Sequence, residues 1–209
     1  MAGSCIAFSC YTRGMRSQQY VEQVFSLTDH WVDQARRVPS PNFNERPANM
    51  PIDLLVIHNI SLPPQQFGGP WIDDFFRNVL DASAHPYFAE IAGMQVSSHF
   101  LIRRDGELVQ YVPCDKRAWH AGRSCWQGRD ACNDFSIGIE LEGADEVAYT
   151  EHQYAVLNGL VEALRQQYPA IGNNIVGHEH VAPGRKTDPG PAFDWQRVAG
   201  TVMTQGEQA

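Results

Sequence analysis

Two segments of the chain carry hydrophobic patterns that predict β-strands of different kinds. Residues 52–60 contain the apolar run Leu54-Leu55-Val56-Ile57 followed by His58, a pattern typical of a central strand that is buried on both faces. Residues 135–143 alternate instead, so that successive side chains point to opposite faces of the strand. One face of this second strand is apolar, and the other is small and then acidic, with the residues Ser136, Gly138, Glu140 and Glu142. We interpret the second face as the floor of a groove.

The rest of the chain shows helical periodicity and turn signals. The pattern predicts a helix from residue 28 or 29 to 38, a helix over about 71–80, a hairpin with strands 98–103 and 107–112, a helix over 151–167 capped by Thr150, a strand over 174–176 and a helix over 195–203. These elements predict one α/β domain with a central mixed β-sheet flanked by helices. We expect the domain to span residues 28–204, after a loosely ordered extension of residues 1–27 and before a tail of residues 205–209.

Composition and charge narrow the class of function. The chain has 209 residues, 43% hydrophobic and 19% charged, which is enough for one domain with a buried core. Its net charge of −8 argues against binding to nucleic acid or an anionic membrane, which usually requires a basic excess. The five cysteines contain no C-x-x-C pair, and no export signal or membrane-spanning apolar stretch is evident. We therefore expect a cytoplasmic protein with no nucleic acid or membrane partner. We also expect it to be a monomer.

Two histidines and a carboxylate indicate a hydrolytic metal centre. His58 closes the buried strand, at the edge where α/β sheets usually present functional groups. His178 and Asp188 are joined by a loop rich in Pro and Gly that can direct both side chains to one ion. Two imidazoles and a carboxylate are a recognised ligand set for catalytic zinc, with the fourth position left to water. His180 is an alternative to His178, and the spacing alone does not separate them.

A zinc hydrolase also needs a group that accepts a proton and a group that stabilises an oxyanion. Glu140 and Glu142 both lie on the predicted groove face, and either is a candidate general base. Lys186 comes two residues before Asp188 and is a candidate for the oxyanion role. The residue pattern by itself leaves the choice between the two glutamates open.

These residues lie within longer motifs that resemble the zinc-dependent N-acetylmuramoyl-L-alanine amidases of the amidase-2 and peptidoglycan-recognition superfamily. The resemblance covers about residues 31–195 and is strongest to the cytoplasmic members that act on 1,6-anhydro-N-acetylmuramyl peptides in cell-wall recycling. It is carried by motifs that include His58-Asn59-Ile60-Ser61-Leu62-Pro63-Pro64, Phe67-Gly68-Gly69-Pro70-Trp71, His85-Pro86-Tyr87-Phe88, Ala118-Trp119-His120-Ala121-Gly122 and Gly138-Ile139-Glu140-Leu141-Glu142-Gly143. It implies hydrolysis of the amide between the lactyl group of the anhydro sugar and L-alanine of the stem peptide.

The resemblance also implies roles for single residues. It assigns the zinc ligands to His58, His178 and Asp188, the catalytic glutamate to Glu140, the active-site lysine to Lys186, and the lining of the muropeptide groove to Asn59 and Trp119. Some relatives carry arginines, aligned with Gln95 and Ala131, that we expect to hold carboxylates of the stem peptide. The segment 103–129 contains six basic and three acidic residues, and from this segment Arg123 or Arg129 is expected to substitute for those arginines.

Two other activities occur within the same superfamily. Some members have lost a zinc ligand and only bind peptidoglycan, whereas others attack the intact wall. The complete ligand set argues against the first alternative, and the lack of an export signal argues against the second. The sequence therefore favours an anhydro-muropeptide amidase that contains zinc.

Overall fold

The computed structural model describes residues 23–198, and this part of the chain contains twelve β-strands and four α-helices. The strands are β1 (Leu27–Thr28), β2 (Trp31–Val32), β3 (Arg36–Arg37), β4 (Phe43–Glu45), β5 (Leu54–Ile60), β6 (Phe100–Ile102), β7 (Leu108–Gln110), β8 (Lys116–Ala118), β9 (Cys125–Trp126), β10 (Arg129–Asp130), β11 (Ser136–Glu142) and β12 (Ile175–Gly177). The helices are α1 (Trp71–Phe76), α2 (Pro86–Ile91), α3 (Glu151–Gln167) and α4 (His178–Val181). Short 3-10 helices cover Cys132–Asp134, Pro169–Ile171 and Trp195–Arg197.

Six of the strands form one mixed sheet in the order β12-β5-β11-β6-β7-β3. Strands β12, β5, β11 and β6 run parallel, while β6 and β7 form the predicted antiparallel hairpin. The apolar run of β5 is fully buried between its neighbours, as its composition predicts. The register pairs Glu140 of β11 with His58 of β5, so both side chains point to the same face of the sheet. The predicted mixed-sheet α/β fold is confirmed.

The long helix α3 covers one face of this sheet. Thr150 accepts a hydrogen bond from the N–H of Gln153, and the Gln153 side chain accepts one from the N–H of Thr150, which closes a capping box of the kind the sequence predicts. The apolar stripe of α3, which includes Leu157, Leu160 and Leu164, belongs to the largest buried cluster. That cluster also contains the side chains of β5 and β11 that point away from His58 and Glu140. The helix therefore fixes both site-bearing strands from behind.

The opposite face of the sheet carries a second apolar cluster and a cavity. Side chains of α1 and α2, among them Ile72 and Phe88, pack against Leu101 of β6 and Val109 of β7. The cavity lies between these two helices and the carboxyl end of β5, where His58 is located. This is the edge of a parallel sheet at which functional groups are expected.

The helix predicted over residues 28–38 is wrong. Strands β1 and β2 form a tight hairpin there, with Asp29 and His30 at positive φ angles of 49° and 66°, and β3 joins the edge of the sheet beside β7. Oε1 of Gln110 accepts a hydrogen bond from the N–H of Val32 at 2.7 Å, and its amide donates to the carbonyl of His30 at 3.0 Å. The backbone of this segment is therefore satisfied by the sheet and not by helical hydrogen bonds.

Two other helices differ from their predicted lengths. Helix α1 begins as predicted but ends at Phe76, shortly before Asn78 adopts a positive φ of 61°. The predicted helix over residues 195–203 begins as the 3-10 helix Trp195–Arg197, and residues 199–203 lie outside the described residues. No helix within residues 23–198 is long and apolar enough to cross a membrane.

The predicted N-terminal extension falls mainly on residues 1–22, outside the described part of the chain. Its last residues are described, and the partly buried Phe25 and Leu27 pack against the main core. The backbone at Gln23 also approaches Gly159 of α3 so closely that a Cβ at Gly159 would lie 2.1 Å from the Gln23 carbonyl oxygen. The segment just before residue 28 thus contacts the domain, while the domain limits at residues 27 and 204 stay predictions.

Candidate active site

Three side chains from two separate parts of the chain converge at the carboxyl end of β5. Nδ1 of His58, on the strand, lies 3.0 Å from Nδ1 of His178 and 3.0 Å from Oδ2 of Asp188. Nδ1 of His178, at the start of α4, lies 3.1 Å from the same oxygen. These three ligand atoms all lie within 4.8 Å of one another, and both histidines are buried. Within residues 23–198 this is the one group of His, Cys, Asp or Glu side chains with such spacing.

The surroundings of His58 and Asp188 favour the protonation states that bind a metal. Burial lowers the pKa of His58 to about 4, so its imidazole is neutral near pH 7. For Asp188, burial alone would raise the pKa, but its close contacts with the His178 and His58 rings outweigh burial and hold the pKa well below its usual range. Neutral imidazoles and an ionised carboxylate are the forms in which these residues ligate metals.

The loop that carries Asp188 is held close to β5 by several hydrogen bonds. The N–H of Glu179 donates to the carbonyl of Asp188 at 3.0 Å. The carbonyl of Pro189 accepts from the Asn59 amide at 3.1 Å and from the Tyr149 hydroxyl at 2.7 Å. Because Asn59 of β5 and Tyr149 of the loop before α3 both donate to this carbonyl, Asp188 cannot move away from β5 without breaking these hydrogen bonds.

Gly177 allows the two halves of the ligand loop to approach each other. A Cβ at this position would lie 2.7 Å from Cδ of Pro189 and 3.3 Å from the carbonyl oxygen of Asp188. The first of these separations is shorter than real Cβ contacts, and a proline ring on a fixed backbone has little freedom to retreat. The lack of a side chain at Gly177 thus allows the backbone before His178 to pack against the backbone of Asp188 and Pro189.

The structure brings His178, and not His180, to His58 and Asp188. Nδ1 of His180 accepts a hydrogen bond from the N–H of Gly177 at 2.8 Å, at the start of α4. Its exposed ring lies 5.6 Å from that of Trp195, measured between ring centroids, on the outer side of the loop. His180 therefore serves as a cap for the first turn of α4, a role that spacing in the sequence does not reveal.

The second ring nitrogen of each buried histidine also has a partner. Nε2 of His58 lies 2.9 Å from Nδ1 of His120, and Nε2 of His178 lies 3.1 Å from the carbonyl oxygen of Ala121. The carbonyl of Ala121 also accepts from the Arg185 guanidinium at 2.7 Å. Metal-ligating histidines typically donate their other ring N–H to such an outer partner. The residue set therefore fits a metal ion at the two Nδ1 atoms and the Asp188 carboxylate.

The two candidate general bases on β11 have different surroundings. Glu140 faces His58 across the strand pair, and its buried Oε2 has no hydrogen-bond partner within the described residues. Burial, together with the nearby Asp188 carboxylate, raises the pKa of Glu140 well above its usual range. Glu142 is also buried, but its carboxylate accepts from Arg103 at 3.3 Å and from the N–H of Gly68 at 2.6 Å. Oε2 of Glu140 is thus free to bond a substrate or a water, whereas the carboxylate of Glu142 already accepts hydrogen bonds from the protein.

A cavity of about 370 Å³ opens from the ligand cluster. Its polar end is lined by the three clustered side chains with Glu140, His120 and Lys186, and Asn59 and Trp119 line it as well. Nε1 of Trp119 donates to Oδ1 of Asn44 at 2.7 Å, which fixes the indole at the wall. The far end is apolar and is lined by α1, α2 and the loop after α2, with Leu62, Phe75, Phe76, Tyr87, Ile91, Met94 and Val96.

The structure does not bring Arg123 or Arg129 to this cavity. The guanidinium of Arg129 forms a salt bridge with Asp53 at 3.0 Å and lies over the ring of Phe135. Asp53 directly precedes β5, so Arg129 lies at the opposite end of the strand from His58. Arg123 is exposed and lines a separate pocket with Arg185. The lining of the cavity therefore gives no support to the expectation that these arginines hold stem-peptide carboxylates, and that expectation stays a prediction.

Comparisons with known proteins agree with the geometry of the site. The family model described as N-acetylmuramoyl-L-alanine amidase (Amidase_2) matches residues 48–191, a span that includes all three clustered side chains. The 1,6-anhydro-N-acetylmuramyl-L-alanine amidase AmpD of Citrobacter freundii is 61% identical over 176 residues, which cover 84% of this chain and 94% of that protein.

Solved structures give the same result. A crystal structure of a selenomethionine AmpD derivative matches with a TM-score of 0.81 and 62% identity, covering 82% of this chain and 96% of that one. The amidase AmiD from Escherichia coli, solved with the substrate anhydro-N-acetylmuramic acid-L-Ala-D-γ-Glu-L-Lys, matches with a TM-score of 0.52 and 30% identity, covering 83% and 63%. The chain therefore belongs to the N-acetylmuramoyl-L-alanine amidase family of the amidase-2 type, as its motifs indicate.

Proposed function

We propose that this protein is a cytoplasmic, zinc-dependent amidase of cell-wall recycling. Its substrate is a 1,6-anhydro-N-acetylmuramyl peptide, and it hydrolyses the amide between the lactyl group of the sugar and L-alanine. One observation carries the proposal: the ligand atoms of His58, His178 and Asp188 meet in one cavity with Glu140, whose Oε2 has no hydrogen-bond partner among residues 23–198. The name of the Citrobacter freundii relative, which specifies this anhydro substrate, supports the choice of sugar.

We assign zinc to the cluster formed by His58, His178 and Asp188. Two nitrogens and one oxygen leave a position open, as in other catalytic zinc sites. When bound, zinc acts as a Lewis acid toward the amide carbonyl and lowers the pKa of a water to about 7. No cysteine lies in the cluster, which distinguishes it from the closed, Cys-rich sites that are typical of structural zinc.

Glu140 acts as the proton-transfer group in this proposal. Its carboxylate accepts a proton from the attacking water and returns it to the nitrogen of L-alanine as the C–N bond breaks. The raised pKa of Glu140, which burial and the Asp188 carboxylate cause, favours its protonated form and so suits a group that must hold the proton between the two steps. A carboxylate that already bonded protein donors, as Glu142 does, would be less basic and less accessible.

Lys186, Asn59 and Trp119 complete the proposed site. The ammonium of Lys186, at the mouth of the cavity, stabilises the oxyanion that forms at the amide carbonyl. Asn59 lines the cavity and also ties the loop of Asp188 to β5 through Pro189. Trp119 presents a rigid apolar surface for the sugar or the stem peptide.

The experiment that tests the proposal compares three substrates with one enzyme preparation. We expect rapid release of the L-alanine-led peptide from anhydro-muropeptide, slower cleavage of the reducing-end muropeptide and little attack on intact sacculi, all measured by mass spectrometry of products. Glu140→Gln is the matched control, since it preserves the shape of the site. Equal kcat/KM on both muropeptides, together with ready lysis of sacculi, would identify a wall-lytic enzyme instead.

The same preparation tests the cofactor and the oligomeric state. We expect about one zinc per chain by elemental analysis, loss of activity on chelation and recovery when zinc is added back. Full activity in chelator-washed, metal-free protein would contradict the zinc assignment. Light scattering should give the mass of one chain if the prediction of a monomer holds.

A further inference from the structure

His120 contacts His58, one of the three side chains of the ligand cluster, on the side away from His178 and Asp188. Nδ1 of His120 lies 2.9 Å from Nε2 of His58, and the two rings meet edge to face at an interplanar angle of 85°. On its other side, Nε2 of His120 lies 3.1 Å from Oγ of Ser136. The Ser136 hydroxyl in turn lies 2.6 Å from the carbonyl oxygen of Cys132. These contacts form one chain of hydrogen bonds from His58 to a backbone carbonyl.

The carbonyl at the end of this chain sets the direction of every bond in it. A carbonyl only accepts, so the Ser136 hydroxyl must donate to Cys132. Oγ of Ser136 then accepts the N–H at Nε2 of His120, which leaves Nδ1 of a neutral His120 as an acceptor. That acceptor takes the N–H at Nε2 of His58, and the lone pair of His58 is therefore on Nδ1, the atom that points at His178 and Asp188.

Ala121, the residue after His120, fixes the tautomer of His178 in the same way. The carbonyl of Ala121 accepts from Nε2 of His178 at 3.1 Å, which likewise places the lone pair of His178 on Nδ1. Oδ1 of Asn133 accepts from the N–H of His120 at 3.2 Å and from the N–H of Ala121 at 2.8 Å. A single dipeptide, held by one asparagine, therefore orients both imidazoles of the cluster.

Gly138 of β11 provides the space that His120 occupies. A Cβ at Gly138 would lie 2.5 Å from Cγ and 2.7 Å from Nδ1 of His120. The N–H of Gly138 is itself fixed by Nδ1 of His99 at 3.0 Å, so the strand cannot easily retreat. The ring of His120 thus lies directly on the strand between Ser136 and Glu140.

We propose that His120 is a positioning residue that fixes the tautomer and orientation of His58 for metal binding. The inference rests on the proposed function, because it requires a metal at the His58 cluster. It predicts a defined loss: outer partners of metal-bound histidines are typically worth about 10- to 100-fold in metal affinity or activity. The effect reaches the metal through His58, and His120 itself contributes no ligand atom.

A matched pair of variants separates hydrogen bonding from packing. Asn and Leu have nearly the same shape, but His120→Asn keeps an acceptor close to the position of Nδ1, whereas His120→Leu does not. We expect His120→Leu to weaken zinc binding about 10- to 100-fold, measured by competition with a chromophoric chelator, and His120→Asn to recover most of the loss. The cobalt-substituted proteins should follow the same order, with a visible spectrum altered in His120→Leu and close to the wild type in His120→Asn.

Unfolding of the metal-free proteins in urea provides the control for folding. If His120→Leu is too unstable to purify, Gly138→Ala displaces the same ring and should also weaken zinc binding. Wild-type affinity and an unchanged cobalt spectrum in His120→Leu would overturn the positioning role while leaving the proposed function intact. Equal losses in His120→Asn and His120→Leu would assign the effect to packing and would also overturn it. A wild-type protein that binds no zinc would refute the proposed function itself.

Discussion

Replacing each glutamate of β11 by glutamine tests the active site most sharply, because the two residues share one strand and one face but have opposite surroundings. Glu140→Gln removes no protein hydrogen bond from the unpartnered Oε2. We expect the metal-free protein to keep its free energy of unfolding, since an amide of the same shape replaces a carboxyl group that burial already disfavours in its charged form. Turnover should fall by about 100- to 10,000-fold if Glu140 is the proton-transfer group.

Glu142→Gln should have the opposite effect. The side chains of Glu142 and Arg103 are only 2% and 9% exposed and form a salt bridge at 3.3 Å. Breaking a buried pair by removing one partner typically costs about 3–5 kcal/mol. We expect a loss near the lower end, about 3 kcal/mol, because Arg103 keeps its salt bridge with Asp73 at 3.3 Å. For a domain of this size that loss lowers Tm by about 6–12 °C, whereas turnover per folded molecule should stay close to that of the wild type.

Urea unfolding of the metal-free proteins and kcat of the zinc-loaded proteins measure both effects. Zinc content must be equal in the three proteins, because Glu140 is not expected to be a ligand. Near-wild-type turnover in Glu140→Gln, or a loss of turnover in Glu142→Gln at unchanged stability, would show that the roles are reversed.

Three further predictions concern other residues. His178→Ala should abolish stoichiometric zinc binding while His180→Ala retains it, and elemental analysis showing the reverse would contradict the ligand choice. Lys186→Met should lower kcat by about 100- to 1,000-fold with zinc content unchanged; an unaffected kcat would exclude the oxyanion role. Burial lowers the pKa of His99 to about 3, so the stability that neutral His99 contributes is complete above pH 6.5 and declines by about 1.4 kcal/mol per pH unit as pH falls toward 3. His99→Asn, which keeps an acceptor for the N–H of Gly138, should flatten this slope in urea unfolding, and equal slopes would refute the assignment.

The elements that hold the site were predictable because their signals are local. The apolar run of β5, the alternation of β11 and the Thr150 capping box each lie within one short segment, and each appears in the structure close to its predicted bounds. Parallel pairing of β5 with β11 then follows the usual α/β architecture, and it brings Glu140 beside His58.

The prediction of a helix over residues 28–38 was wrong because the group that hydrogen-bonds the backbone of this segment is distant in the sequence. Trp31, Val32 and Ala35 have a spacing that fits a helix face as well as short strands. The side chain that satisfies the backbone of this segment is Gln110, 78 residues away from Val32. Tertiary hydrogen bonds of this kind override local propensity, and a pattern within one segment cannot contain them.

The choices left open within the site were also decided by contacts between segments. His178 and His180 differ by two positions, and the hydrogen bond from Gly177 that occupies His180 depends on the turn at the start of α4. Glu140 and Glu142 share one face of β11, and only the position of Arg103 and of the Gly68 loop distinguishes them. The motifs that resemble the amidase family favoured the same residues, but they did not supply this physical reason.

The absence of Arg123 and Arg129 from the described lining of the cavity bears on substrate recognition. Arg129 pairs with Asp53, five residues before His58 and thus about 16 Å away along an extended strand. Among the described residues that line the cavity, Lys186 is then the one Lys or Arg, and it is exposed at the mouth. Since discrimination depends on groups that a site binds or excludes directly, the proposed function predicts selection at the sugar and the scissile amide, through the apolar end of the cavity and Trp119, over selection for carboxylates far along the stem peptide. On this proposal the selecting contacts lie where the anhydro sugar and the intact wall differ, which is what the proposed substrate preference requires.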